Sequence, residues 1–163
     1  KDYFNKTLNN SIKVEFLEEN EPLGTAGSLS LLQKKDIKSP VIIINGDVLT
    51  DINYSELINY HNKSNKDITV CASFYDIQIP FGTIEIKNDK LVDIKEKPLK
   101  KFLINAGIYI VNPRIINSLA FNERIDMTDI IANAITKDNV EIFPMHEKWL
   151  DIGDHENYEK AKK

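Results

Sequence analysis

At 163 residues, 42% of them hydrophobic and 28% charged, the chain has the size and composition of one domain with a sizeable core. A net charge of -4 with no basic cluster argues against nucleic-acid or anionic-membrane binding. No apolar run approaches the roughly 20 residues that span a bilayer, the opening KDYFNKTLNN lacks the apolar core of a signal peptide, and a lone cysteine, Cys71, excludes an internal disulfide framework and thiol-only metal sites. A cytoplasmic protein is the expectation from these features.

In chain order, short apolar runs alternate with helix-length segments, the pattern of an α/β layer structure. IKVEFLEE (12–19) reads as a strand, and TAGSLSLLQKK (25–35) as a helix capped by Thr25. VIIIN (41–45) is a strand with no polar face, which suits a parallel strand covered on both sides. YSELINYHNKS (54–64) reads as a helix, and DITVCASFY (67–75) as a strand that buries Cys71 as an inert thiol. TIEIK (83–87) and LVDIK (91–95) alternate around NDK and predict a hairpin. NAGIYIV (105–111) is a strand, Pro113 starts a short helix, and MTDIIANAITK (127–137) is a helix with Asp126 or Thr128 near its start. VEIFPM (140–145) and EKWLDI (147–152) read as short strands before the charged helix HENYEKAKK. The segment before residue 12 supplies no opening strand, glycine-rich turn and helix, so residues 1–163 are expected to form a partial domain.

Five stretches could carry chemistry. Asn45-Gly46-Asp47 follows an apolar strand, and ligands of open α/β sheets bind beyond the carboxyl ends of strands. It reads either as a turn or as a carboxylate placed to hold Mg²⁺. EENEPLGTAGSLSLL (18–32) frames Thr25-Ala26 with Gly24 and Gly27 at a helix start, where free N–H groups favour oxygen acceptors. Taken by itself the stretch fits packing of small residues better than a ligand, and it is neither a Walker loop nor a G-x-G-x-x-G fingerprint. IKEKPLKK (94–101) sets Glu96 and Lys97 at the hairpin's end, suited to sugar hydroxyls and phosphate, or to solvent alone. INAGIYIVNP (104–113) puts Asn105 at a strand mouth and Gly107 inside the strand, marking a ligand or a bulge. WLDIGDHENYEKA (149–161) contains Asp151, which could meet Asp47 around one cation, and Asp154, better suited to capping the last helix. His61, His146 and His155 lack metal-ligand spacing and read as surface or packing residues.

Taken in order, PLGTAG, NGD, FGTIEI, EKP, NAGIYI and WLDIG resemble the sugar-1-phosphate nucleotidylyltransferases over almost the whole chain. The set is most similar to the mannose-1-phosphate guanylyltransferase-like branch, including guanylyltransferases of bacterial surface-polysaccharide pathways. The resemblance implies a Rossmann-like, mostly parallel sheet with flanking helices and an inserted sugar-binding hairpin. It implies a Mg²⁺-dependent reaction in which an NTP, by this branch GTP, and a sugar 1-phosphate give an NDP-sugar and pyrophosphate. It further implies that Asp47 and Asp151 hold Mg²⁺, that Lys97 faces the sugar phosphate, and that Gly82, Glu96 and Asn105 contact the sugar. Leu23, Gly24, Thr25 and Gly27 would line the nucleotide. The family's glycine-rich, arginine-bearing opening loop has no counterpart here, so poor turnover is expected unless the chain is extended at its N-terminus.

A second reading is a non-catalytic sugar-nucleotide-sensing or assembly module of the same fold, which has no need of two converging carboxylates. A sugar-transferring enzyme with a D-x-D metal motif is a third, and D-V-L-T-D (47–51) has the wrong spacing for it. Apolar residues such as Phe102 and Phe121, if exposed, would suit a homo-oligomeric contact.

Overall fold

The computed structural model describes residues 13–162. They fall into two compact units, one running up to Pro40 and including Asn112–Lys137, the other comprising Val41–Val111 and Asp138 onward.

In the first unit, residues 13–20 have no regular structure and are exposed, so the strand expected at 12–19 is absent over its described part. Glu15 is held instead by Lys13 and Lys35, which push its carboxyl down to about 2. The helix expected at 25–35 is a 3-10 helix over Gly27–Lys35, with Ala26 rather than Thr25 at its N-cap. Ser30 explains the tighter coil: its buried hydroxyl donates to the Gly27 carbonyl at 2.7 Å, an i-3 bond that competes with regular α-helical turns. The same hydroxyl accepts from the Asn122 N–H at 3.0 Å. Pro113 opens helix α2, Pro113–Ser118, which follows α1 (Tyr54–Lys63, in the second unit) in chain order, and Gln33 donates to the carbonyls of Ile116 and Leu119 in and after it. Helix α3, Met127–Ile135, begins with a capping box between Asp126 and Asp129. Its inner face buries Met127, Ile130 and Ala134.

The second unit carries the sheet. Strands β1 (Val41–Ile44), β6 (Leu99–Val111), β3 (Ile68–Gln78) and β7 (Val140–Pro144) lie side by side in that order. β6 is antiparallel to both β1 and β3, while β3 and β7 are parallel. Three of the four strands therefore run the same way and β6 alone is reversed, which reconciles the mostly parallel expectation with a mixed sheet. The expectation for β1 itself is corrected: its neighbour is antiparallel, and its residues are only partly buried, Ile44 being exposed. An all-apolar run does not distinguish a central parallel strand from one beside a reversed neighbour.

Helix α1, Tyr54–Lys63, packs on this unit. The Asn53 side chain accepts from the N–H groups of Ser55 and Glu56 and caps it. Leu57 and His61 are its buried residues, and His61 Nδ1 lies 2.7 Å from the buried Thr69 hydroxyl, so this histidine is a packing residue. The core joins Ile52, Leu57, Cys71, Ile108, Ile110, Phe143 and Met145, with Trp149 packed against it. Strands β2 (Val48–Thr50) and β8 (Trp149–Asp151) form a separate antiparallel ribbon, and helix α4, His155–Ala161, follows β8. The predicted hairpin is β4 (Thr83–Lys87) and β5 (Lys90–Lys95). Two opposed pairs, Ile84 with Ile94 and Ile86 with Leu91, leave their side chains more than half exposed.

Candidate functional site: a carboxylate pair beside an open cleft

The two carboxylates proposed for the metal come from separate chain segments and meet in the second unit. Asp47 stands in the turn after β1, just before β2; Asp151 ends β8. The ribbon places Val48 opposite Asp151, and the Ile152 N–H donates to the Asp47 carbonyl at 2.8 Å. A Cβ at Gly153 would lie 2.9 Å from Asp151 Oδ1 and 3.3 Å from Asp47 Oδ2, so both carboxylates border the space that the missing side chain leaves. The Gly153 N–H donates to Asp151 Oδ1 at 2.7 Å and aims that carboxylate. Among the described residues neither aspartate is in an ion pair.

The pair borders an open cleft of about 790 Å³, whose walls include Phe74, Tyr75 and Trp149. An oxygen-only donor set, paired across a vacant Cβ position, fits a hard divalent cation. Among the described residues no group of three His, Cys, Asp or Glu could form a complete cage. Two carboxylates with the remaining positions left to water or phosphate suit Mg²⁺, which keeps several waters. Asp154 is outside this set: its two oxygens accept from the Asn157 N–H and side-chain amide at 2.7 Å each, capping α4 as expected.

The sugar-side candidates lie in the same unit. Gly82 and Glu96 are adjacent, since a Cβ on Gly82 would come within 3.0 Å of Glu96 Oε2. Lys97 follows with an exposed side chain and a left-handed backbone, φ 44°, a strained choice for a residue that has a Cβ. Among the described residues no ion pair joins Lys97 to the carboxylates. Asn105 does not precede its strand; it lies inside the long β6, where a bulge displaces the register. Val70 faces Tyr109 and Ala72 faces Asn105, so β6 carries two more residues than β3 there. The Asn105 amide donates to the Tyr109 hydroxyl at 2.8 Å and its oxygen accepts from the Gly107 N–H at 3.1 Å. One N–H and one lone pair are left for a ligand.

The nucleotide-side candidates lie in the first unit. Gly24 has φ 79°, and a Cβ there would stand 2.7 Å from both Asp126 Oδ1 and the Ile125 carbonyl oxygen. A Cβ on Gly27 would meet the Glu123 carbonyl and the Leu23 Cβ at 2.6 Å. Both glycines thus admit the chain's own 123–126 segment, and Leu23 is buried. Thr25 is tied to the same segment: its N–H donates to Asp126 Oδ1 at 2.9 Å, and its hydroxyl accepts from the Met127 N–H at 2.8 Å. It is a cap, but of α3. The Thr25 N–H, helped by its hydroxyl, which donates to Asp126 Oδ1 at 3.2 Å, holds the Asp126 carboxyl below its usual range.

The aromatic wall of the cleft was missed by sequence reasoning. Phe74 and Tyr75 are consecutive on β3, and an aromatic pair within an apolar strand carries no signal separating cleft from core. Phe102 and Phe121 are both about half exposed, with Lys34 Nζ 4.5 Å from the centre of the Phe121 ring.

The chain is similar to known proteins. The nucleotidyl transferase family profile matches residues 1–163. Mannose-1-phosphate guanyltransferase of Aspergillus oryzae is 33% identical over 158 residues, covering 91% of this chain and 43% of that protein. Mannose-1-phosphate guanyltransferase 2 of Candida glabrata is 30% identical over 155 residues, covering 90% and 43%. The chain thus spans less than half the length of these relatives. The crystal structure of HddC from Yersinia pseudotuberculosis complexed with GMP-PN is 26% identical, with a TM-score of 0.67, covering 98% of this chain and 70% of that one.

Proposed function

Because this chain belongs to the nucleotidyl transferase family, we propose that it is the catalytic part of a sugar-1-phosphate nucleotidylyltransferase that uses GTP. The observation that carries the reading is the approach of Asp47 and Asp151 to one point beside the cleft. The names of the relatives support guanine, and mannose 1-phosphate is the first sugar to test.

A phosphate oxygen of the sugar 1-phosphate attacks the α-phosphorus of GTP. A new P–O bond forms, the bond to the β-phosphate bridging oxygen breaks, and pyrophosphate leaves. The protein's part is to position the reactants and offset charge, so no side-chain nucleophile is needed. Asp47 and Asp151 would hold Mg²⁺, which neutralises charge on the phosphates when bound. Lys97 supplies a compact positive charge for the sugar phosphate. Glu96 accepts from sugar hydroxyls beside Gly82, and the free half of the Asn105 amide orients one more. Leu23, Gly24, Thr25 and Gly27 contribute main chain along the nucleotide.

The experiment has two readouts. The melting temperature of the chain is measured with each NTP plus Mg²⁺, where a ligand that binds only the folded state stabilises it by mass action. Pyrophosphate release is then measured with GTP and a panel of sugar 1-phosphates, with and without a chelator. Preferential stabilisation by GTP is expected, and chelator-sensitive release with one sugar phosphate that is stronger in a chain extended at its N-terminus. Equal shifts with every nucleotide would overturn the guanine assignment, and chelator-insensitive release would overturn the metal role.

A further inference from the structure

The β2/β8 ribbon sets which residues of the two segments face each other, but a two-stranded ribbon is marginal by itself. Something must fix it to the sheet at the right angle. Two successive carbonyls of the β6 bulge do so. The Ala106 carbonyl accepts from the Trp149 indole N–H at 2.8 Å, and the Gly107 carbonyl accepts from the Asn45 N–H at 2.9 Å. Each donor stands two residues before one of the carboxylates, Trp149 before Asp151 and Asn45 before Asp47. In a strand, residues two apart share a face. Pinning the Trp149 ring on the core side therefore fixes the rotation of β8 and the direction in which Asp151 leaves it.

Gly107 tightens the second anchor. Its φ is 69°, and a Cβ there would lie 2.7 Å from Asn45 Nδ2, 2.9 Å from Cγ and 3.2 Å from Cβ. The Asn45 side chain thus lies directly on the glycine. Any side chain at 107 would lift Asn45 and carry the Asn45-Gly46-Asp47 turn with it. The carbonyls of 106 and 107 lie within the stretch of β6 that carries the two extra residues.

From this geometry we infer that Trp149 and Gly107 are positioning residues of the carboxylate pair: the β6 bulge, gripping Trp149 on one side and Asn45 on the other, sets the separation of Asp47 and Asp151. The inference rests on the proposal that the two aspartates share a divalent cation. Groups that orient metal ligands typically change affinity by about 10- to 100-fold when removed.

The probe is Mn²⁺ alone, titrated into the chain and followed by the electron paramagnetic resonance signal of the free ion. Trp149→Phe keeps the ring and removes the N–H; Gly107→Ala adds the clashing Cβ. Each should weaken Mn²⁺ binding by about tenfold or more. Asn45→Ala, which removes the two nearest clashing atoms, should recover part of the affinity lost in Gly107→Ala. Ile68→Val, a destabilising change in the buried part of β3, should leave the affinity unchanged, which separates positioning from general loosening. Folding is checked by near-ultraviolet circular dichroism, and either main variant suffices if the other fails to fold. Normal Mn²⁺ affinity in a folded Trp149→Phe or Gly107→Ala chain overturns the inference while leaving the metal site intact. Absence of Mn²⁺ binding in the unmodified chain, or binding that survives both Asp47→Asn and Asp151→Asn, overturns the shared-cation reading and the inference with it.

Discussion

Gly153→Ala should weaken Mg²⁺ binding without weakening the fold. The new Cβ would stand 2.9 Å from Asp151 Oδ1 and 3.3 Å from Asp47 Oδ2. Ordinary contact begins near 3.4 Å, so the nearer oxygen must retreat by about half an ångström. Mg²⁺ holds its oxygens at about 2.0–2.1 Å in a near-ideal octahedron, whereas Ca²⁺ accepts about 2.3–2.6 Å in flexible shells. A half-ångström displacement is therefore large for the first and tolerable for the second. Mg²⁺ affinity should fall about tenfold, and Ca²⁺ affinity should fall less. The backbone at Gly153 lies outside the left-handed region, so alanine fits its φ. Restricting the unfolded chain should then leave stability unchanged or raise it by about 0.4–1 kcal/mol. Isothermal titration with each ion, alongside urea unfolding, measures both quantities. Unchanged Mg²⁺ affinity in a folded Gly153→Ala chain would refute the claim that the two carboxylates share the space above this glycine.

Three further outcomes follow from the packing. Thr25→Val keeps the side chain's shape but removes the acceptor of the Met127 N–H, and should cost about 1–3 kcal/mol in chemical unfolding. The Asp126 carboxyl is held below its ordinary 3.8, chiefly by the Thr25 N–H, so its stabilising effect is complete above pH 3.8 and is lost as pH falls through the lowered value. The stability gap between the wild-type chain and Asp126→Asn should accordingly be constant near pH 5–6 and shrink below pH 3.8, measured by urea midpoints. Cys71 is fully buried, with its thiol pushed up to about 12 by burial and by the nearby charge of Glu147. Iodoacetamide should leave it unmodified in the native chain at neutral pH and alkylate it on unfolding in urea, with mass spectrometry as the readout.

Local pattern made much of this molecule legible. Alternation around Asn88-Asp89-Lys90 specified the β4/β5 hairpin, because neighbouring residues alone decide a tight reversal. Pro113 announced the start of α2, since the fixed proline angle acts within one turn. The ordered motifs marked Asp47 and Asp151 as carboxylates that follow apolar strands. A pairing partner, by contrast, is chosen by the rest of the sheet: VIII at 41–44 reads the same whether its neighbour is parallel or, as here, reversed. Thr25 looked like a cap for the helix that follows it, and its hydroxyl instead serves Met127, 102 residues away. Asn105 looked like a strand mouth, and the bulge that places it mid-strand depends on a register with β3.

What the sequence determined by itself was therefore the chemistry available: which segments extend, which coil, and which carry a carboxylate at their end. Tertiary structure alone decided that Asp47 and Asp151, far apart in the chain, border one vacant Cβ position at Gly153. The physical reason is that propensity and capping act over a few residues, whereas convergence depends on β2 pairing with β8 and on the bulge carbonyls that anchor Asn45 and Trp149.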